Sequence, residues 1–174
     1  IRAVLTIGSV GLTAAEMEKL TGVRERRWCE PHESTGDLAA GAARAALADA
    51  GVEASAIERI VLATVSPDHP SPATACGVHA ALGLAPIPAA DVVAACAGFV
   101  FALDAAARAV LTGEGPVLAI AADARSRWLD VTDRATCALF ADGAGAAVLG
   151  PGPVGQGLLA IGTLSDGAGA KSIY

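Results

Sequence analysis

The stretch ADVVAACAGFVFAL, residues 90–103, decides the fold of this 174-residue chain. A short apolar run ends in small residues, Cys96 follows, and Phe99, Val100 and Leu103 then recur at helical spacing. This order predicts a strand that delivers Cys96 to the first turn of a buried helix. The unpaired N–H groups and the positive dipole end of a helix N-terminus stabilise a thiolate, which makes Cys96 a candidate nucleophile. On this stretch alone, packing as a small core residue remains the alternative.

Outward from this stretch, predicted helices and strands alternate. Buried strands are expected at residues 60–65, 91–94 and 117–121. Helices are expected at residues 38–50 behind an Asp37 cap, at 73–82, at 96–111, and after a Thr13/Glu16 capping box. Phe140 and residues 146–149 indicate later strands, joined by a DGAGA turn. The fold class is therefore α/β, with a mainly parallel mixed sheet covered by helices on both faces.

The composition is unusually apolar. Hydrophobic residues make up 53% of the chain, charged residues 17%, and the mean hydropathy is +0.53. Average usage is about 45–50% apolar and about 25% charged, so we expect apolar surface that a partner covers.

No run approaches the roughly 20 apolar residues that span a bilayer, and the start IRAVLTIGSVG is too short and too β-branched for a signal peptide. We expect a soluble, cytoplasmic protein with no membrane partner.

Charge and cysteine usage exclude other classes. The net charge is −6, and no basic cluster exists beyond Arg24, Arg26 and Arg27, so nucleic acid is not an expected partner. The cysteines are far apart and form no C-x-x-C pair; they are Cys29, Cys76, Cys96 and Cys137. We therefore expect no disulfide framework and no metal. The GAGAAV segment lacks the third glycine of a dinucleotide site, and no cofactor is expected.

Five segments together resemble a known family. They are AACAGF around Cys96, TGVRERR at 21–27, ALADAG at 46–51, TDRATC at 132–137 and FADGAGAAVLG at 140–150. In this order they resemble β-ketoacyl-acyl-carrier-protein synthase III, a condensing enzyme of the thiolase superfamily. The resemblance implies that residues 1–174 form a single N-terminal thiolase-like lobe, with the C-terminal lobe absent from this chain.

The resemblance also implies a chemistry and a set of partners. Cys96 would accept an acyl group from a coenzyme A or acyl carrier protein thioester, for decarboxylative condensation or a related transfer in fatty acid or polyketide biosynthesis. In the family a histidine and an asparagine from the second half assist, and His32, His69 and His79 lie in no matching motif. The expected partners are a C-terminal half or separate complementary chain supplying His and Asn, thiolase-type homo- or hetero-oligomer mates, and acyl carrier protein.

Contacts to the acyl donor carry over only in part. Arg134 matches the family's arginine near the coenzyme A phosphate, although a salt bridge with Asp133 or Asp130 is an alternative role. The family's adenine-stacking tryptophan and neighbouring arginine are replaced by Glu16 and Leu20. The donor therefore stays open between coenzyme A and acyl carrier protein.

Ser71 is the candidate residue for acyl selection. It stands where the family usually places a phenylalanine that limits chain length across the dimer interface. A hydroxymethyl group in place of a ring enlarges the cavity, so we expect a primer that is longer, branched or bulkier than acetyl.

Two other functions remain open from the sequence. The chain could be a non-catalytic or regulatory partner in a condensing-enzyme complex, with Cys96 retained for packing. It could also be an unrelated α/β domain with a binding role. Reactivity of Cys96 separates the first proposal from both.

Overall fold

The computed structural model describes residues 2–3, 11 and 13–172, with the side chains of residues 11, 13, 15–133 and 135–172. The helices are α1 Ala14–Thr21, α2 Thr35–Ala50, α3 Thr74–Ala81, α4 Gly98–Leu111 and α5 Arg134–Cys137. The strands are β1 Arg2–Ala3, β2 Arg27–Trp28, β3 Arg59–Ala63, β4 Ala89–Val92, β5 Val117–Ala124 and β6 Asp142–Leu149. Most of the start IRAVLTIGSVG, interpreted above against a signal peptide, lies outside the described residues.

The main sheet has the strand order β4-β3-β5-β6. Strand β3 is parallel to both β4 and β5, whereas β6 is antiparallel to β5. The short strands β1 and β2 pair separately. Because β3, β4 and β5 run in one direction, their carboxyl ends meet at one edge of the sheet. We call the segments that follow them, residues 64–73, 93–97 and 125–133, the carboxyl edge.

Helices cover both faces of the sheet, as predicted. Side chains alternate along β3, so that Ile60 and Leu62 pack with α2 and α3, whereas Val61 and Ala63 pack with α4. Strand β5 divides its side chains between the same two clusters. Fully burying each large apolar side chain contributes about 1.5–3 kcal/mol, so the two-sided core holds the sheet rigidly behind the carboxyl edge.

Helix α4 approaches the sheet closely because its buried face consists of small residues. These are Gly98, Ala102, Ala106 and Ala109. A Cβ on Gly98 would lie 3.0 Å from the Cβ of Ala63 at the end of β3. The start of α4 therefore rests directly on the end of β3.

Several predicted boundaries were wrong by two or three residues: β3 ends at Ala63 rather than 65, β5 continues to Ala124 rather than 121, and α4 begins at Gly98 rather than 96. Helix α2 begins at Thr35 because Ser34, not Asp37, is its N-cap. The Ser34 hydroxyl accepts a hydrogen bond from the Asp37 N–H, and the Asp37 carboxylate accepts one from the Ser34 N–H. Strand β4 ends at Val92 rather than at residue 94, because the chain turns away from the sheet before Val93, which is 76% exposed.

The predicted DGAGA turn at 142–146 was also wrong. These residues are extended and form the first part of β6, where Gly143 pairs with Asp123 and Gly145 with Ala121. Pairing with β5 outweighs the low strand propensity of glycine. Phe140 lies before the strand rather than in one, with the Arg125 guanidinium 5.4 Å from its ring centroid.

Candidate active site

Cys96 lies at the carboxyl edge, between β4 and α4. It occupies a 3-10 turn, Ala95–Ala97, that precedes α4, rather than the first turn of the helix itself. Its side chain is exposed, so within this chain it is not a core residue. The hydrogen bonds that close the turn run from Ala97 N to Ala94 O, at 3.1 Å, and from Gly98 N to Ala95 O. Neither bond uses the N–H of Cys96.

The residue before the cysteine has an unusual backbone. Ala95 has φ +45°, and it is the one described non-glycine residue in the left-handed region. For a residue with a Cβ this conformation costs roughly 1–2 kcal/mol. The turn allows the chain to leave β4 and enter α4 within a few residues. The sequence carried no signal for it, because alanine has no local preference for this conformation.

Asp123 ties together the strand ends beside the cysteine turn. Its Oδ1 accepts from Thr64 Oγ1 at 3.1 Å, Val65 N at 2.9 Å, Ser66 N at 3.1 Å and Ser66 Oγ at 2.8 Å. The N–H of Thr64 in turn donates to the Val92 carbonyl at 3.2 Å. Hydrogen bonds to a carboxylate are stronger than neutral ones. The ends of β3, β4 and β5 are thereby fixed relative to one another.

The loop that carries Ser71 is clamped at both ends by carboxylates. Asp68 accepts from the first two N–H groups of α2 at 2.8 and 2.9 Å. Asp91, in β4, accepts from the first two N–H groups of α3 at 2.7 and 2.8 Å. Carboxylates at helix N-termini satisfy unpaired donors and interact favourably with the dipole. Ser71 is exposed on this fixed loop.

A buried carboxylate anchors the region behind the site. Asp142 accepts hydrogen bonds from Cys29 N at 2.7 Å, from Ser126 N at 2.6 Å and from the Ser126 hydroxyl. Burial acts to raise the pKa of Asp142, but the bonds from Ser126 and Cys29 outweigh it and lower that pKa below its ordinary value. Burial, followed by the adjacent Asp142, raises the pKa of Cys29 to about 12. Cys29 therefore stays a thiol at neutral pH.

The predicted donor-binding residue Arg134 lies in α5, and the two positions that depart from the family, Glu16 and Leu20, lie in α1. Arg134 is the first residue of α5, behind an Asp133 cap whose carboxylate accepts from Ala135 N. The Arg134 side chain lies outside the described residues, so its role stays a prediction. Glu16 completes the α1 capping box by accepting from Thr13 N at 2.8 Å, and Leu20 is 71% exposed. Glu16 thus caps the N-terminus of α1 at the position where the family has its tryptophan.

The three histidines are partly buried or exposed. His79 Nε2 lies 2.8 Å from the Ala85 carbonyl, and His32 and His69 are exposed.

Across residues 2–3, 11 and 13–172, no cluster of three or more His, Cys, Asp or Glu side chains is arranged to hold a metal. In the same ranges, no helix is long and apolar enough to cross a membrane.

A surface groove lies at the far end of α4 from the cysteine. It has a volume of about 670 Å³ and is lined by Ala107, Val110 and Leu111 together with residues 148–153 and 156–158. Cys96 precedes the other end of the same 14-residue helix. A helix of that length spans roughly 20 Å, so this groove is separate from the cysteine site.

The class of protein follows from the sheet and the place of the cysteine. A four-stranded mixed sheet lies between helical layers, and an exposed cysteine precedes the helix that packs on one face. Solved structures with the same fold place the chain in the thiolase-like class, of which it forms one lobe.

Within that class the chain is related to the N-terminal half of β-ketoacyl-acyl-carrier-protein synthase III. The family model described as 3-oxoacyl-[acyl-carrier-protein] synthase III matches residues 90–167, a range that includes Cys96. The corresponding synthase of Roseiflexus castenholzii is 44% identical over 168 residues, covering 90% of this chain and 51% of the relative. The chain thus spans about half the length of the curated relatives it matches.

Solved structures agree with this relationship. Synthase III from Thermus thermophilus has a TM-score of 0.91 at 35% identity, over 99% of this chain and 55% of that one. The priming β-ketosynthase of the R1128 polyketide biosynthetic pathway has a TM-score of 0.80 at 35% identity, over 87% of this chain and 46% of that one. The resemblance stated from the five sequence segments is confirmed.

Proposed function

We propose that this chain is the nucleophile-bearing N-terminal half of a synthase III-like acyltransferase. The observation that supports this most is the placement of Cys96, exposed at the strand–turn–helix junction with its N–H outside the turn's own hydrogen bonds. The match of the family model over the same segment supports it independently. Acyl carrier protein appears in the names of the relatives, and we extend that partner to this chain as part of the proposal.

The proposed reaction has two steps. The Cys96 thiolate attacks the carbonyl of an acyl thioester, its own N–H helps to hold the oxyanion, and the donor thiolate leaves and takes up a proton. Cys96 then carries the acyl group as a new thioester. A malonyl group on acyl carrier protein loses carbon dioxide, the resulting carbanion attacks the acyl-enzyme carbonyl, and the Cys96 thiolate leaves.

The second step requires groups that we assign to a partner. We propose that a C-terminal half or a separate complementary chain supplies the histidine and asparagine, within a thiolase-type oligomer. Exposed apolar side chains on α4 support this, because Val100 is 42% exposed and Leu111 is 86% exposed on a helix whose charged side chains are Asp104 and Arg108. Apolar surface of this kind is typical of interfaces that stay covered.

The acyl and donor preferences are finer parts of the proposal. We assign acyl selection to Ser71 and donor binding to Arg134, with no cofactor in the reaction. Ser71→Phe should shift acyl preference in the assembled enzyme toward acetyl, because a ring fills the space beside the clamped loop. The measurement is kcat/KM for acetyl against longer or branched thioesters. Strict acetyl preference in the unaltered enzyme would contradict the proposed role of Ser71.

Product formation tests the function as a whole. The native protein, together with its complementary half, is incubated with acyl thioester and malonyl-acyl carrier protein, and the β-ketoacyl product is followed by mass spectrometry. We expect product from the unaltered protein and from Cys76→Ala, which removes the other exposed cysteine, but none from Cys96→Ala. Equal product from Cys96→Ala would contradict the assignment.

A non-catalytic partner role is the second candidate. The observation that favours it is the use of Glu16 as a capping residue where the family has its stacking tryptophan. In that case a folded protein would give neither an acyl adduct nor a product in the presence of its complementary half.

A further inference from the structure

Ala95 differs from every other described residue with a left-handed backbone. The remaining positive-φ positions are all glycines: Gly11, Gly22, Gly51, Gly83, Gly113, Gly155 and Gly157. Glycine adopts this conformation without a Cβ clash, whereas alanine does so at a cost. The strained position is also the residue directly before Cys96.

Packing of the Ala95 side chain does not offset the cost of this backbone strain. Ala95 is exposed, so its methyl group buries little apolar surface. The conformation is imposed from both sides of the turn: Thr64 N holds the end of β4 through the Val92 carbonyl, and Gly98 seats α4 against Ala63. Strained backbone persists only where the surrounding structure determines it.

We propose that Ala95 is a positioning residue for Cys96. The two fixed anchors impose a positive φ at position 95, and the Cβ of Ala95 narrows the φ and ψ values allowed there, which fixes the direction of the Cys96 N–H and thiol. A glycine here would relieve the strain but would also open other φ values to the turn. The inference rests on the proposed role of Cys96 as the nucleophile.

The test separates stability from reactivity in the native protein. Ala95→Gly should raise Tm by about 2–4 °C, because the strain is removed. It should also lower the rate of Cys96 alkylation by iodoacetamide about fivefold, because the reacting group is no longer held. Peptide mass spectrometry resolves the rate for each cysteine, and exposed Cys76 provides the internal reference. A purely structural role would not move the two readouts in opposite directions.

Two further variants complete the design. Ala97→Gly makes the same chemical change at a residue of the same turn with φ −86°, so Tm should fall and the Cys96 rate should stay near its original value. Ala95→Asn keeps a residue that tolerates the left-handed region and should restore the alkylation rate.

The outcomes distinguish this inference from the proposed function. An unchanged Cys96 rate in Ala95→Gly, or a fall in Tm, overturns the role of Ala95. Suppose that the unaltered protein forms no acyl adduct, while Ala95→Gly still lowers the Cys96 alkylation rate about fivefold. The positioning role is then supported, and the acyl-transfer function is rejected. If the adduct forms and Ala95→Gly loads at the original rate, acyl transfer survives and the positioning role does not.

Discussion

The four cysteines occupy environments that differ in exposure and charge. Cys96 and Cys76 are exposed, Cys137 is buried, and the Cys29 thiol has its pKa raised to about 12 by burial and by the adjacent Asp142. Because the thiolate is the reactive form, we expect a neutral-pH alkylating reagent to modify Cys96 and Cys76 well before Cys29 and Cys137. Peptide mapping of a time course measures the order. Early labelling of Cys29 in folded protein would contradict the described environment. Urea-unfolded protein, in which all four cysteines are exposed, is the control.

Asp142 makes stability depend on pH. Its pKa is depressed in the folded state, so its contribution is present above the ordinary value of 3.8 and is lost as pH falls through the folded value. Asp142→Asn should lower the unfolding free energy by about 1–3 kcal/mol at neutral pH and flatten its fall toward pH 3. Denaturant titrations at both pH values measure this. Asp166→Asn, at an exposed aspartate that caps Ala168 N, is the matched control and should change little.

At the scale of elements, the junction between β3 and α4 positions the site. An added methyl at Gly98 would meet the Ala63 Cβ at 3.0 Å, and neither group can rotate away. Gly98→Ala should therefore shift the start of α4 and reduce the unfolding free energy by about 1–3 kcal/mol. Gly77→Ala, in α3 with open space around it, should instead stabilise by up to about 1 kcal/mol. Equal effects of the two substitutions on denaturant midpoints would argue against the close contact.

Local signals predicted some elements and not others. The Thr13/Glu16 capping box located the start of α1, because both halves of the motif lie within four residues. The start of α2 was misplaced because Ser34 and Asp37 both suit an N-cap, and only their mutual hydrogen bonds settle which one serves. The glycines of β6 have no strand signal of their own. Their extended form comes from pairing with β5, which is a tertiary effect.

At the scale of the whole molecule, the site is assembled by topology. Thr64 and Asp123 are separated by 59 residues, yet the parallel strands bring them together at the carboxyl edge. The sequence predicted the two-faced sheet and the strand-to-helix junction that carries Cys96, because an apolar strand, small residues and an amphipathic helix are local patterns in the chain. It did not predict the Asp123 network or the strained Ala95, because their partners are remote in the chain or impose the conformation from outside.

The high apolar content of the chain is also a property of the whole molecule. The sheet faces account for much of it, but Val100 and Leu111 on α4 remain exposed in the described chain, Leu111 at 86%. This agrees with a chain that spans about half the length of its relatives.

The most direct measurement is the site of acylation. The native protein is incubated with an acyl thioester, digested, and mapped by mass spectrometry for the acylated peptide. We predict the added acyl mass on the peptide that contains Cys96, with none on the Cys76 peptide, although both cysteines are exposed. Acyl mass on Cys76 alone, or no adduct on a folded protein, would contradict the claim that the strand–turn–helix junction makes Cys96 the nucleophile.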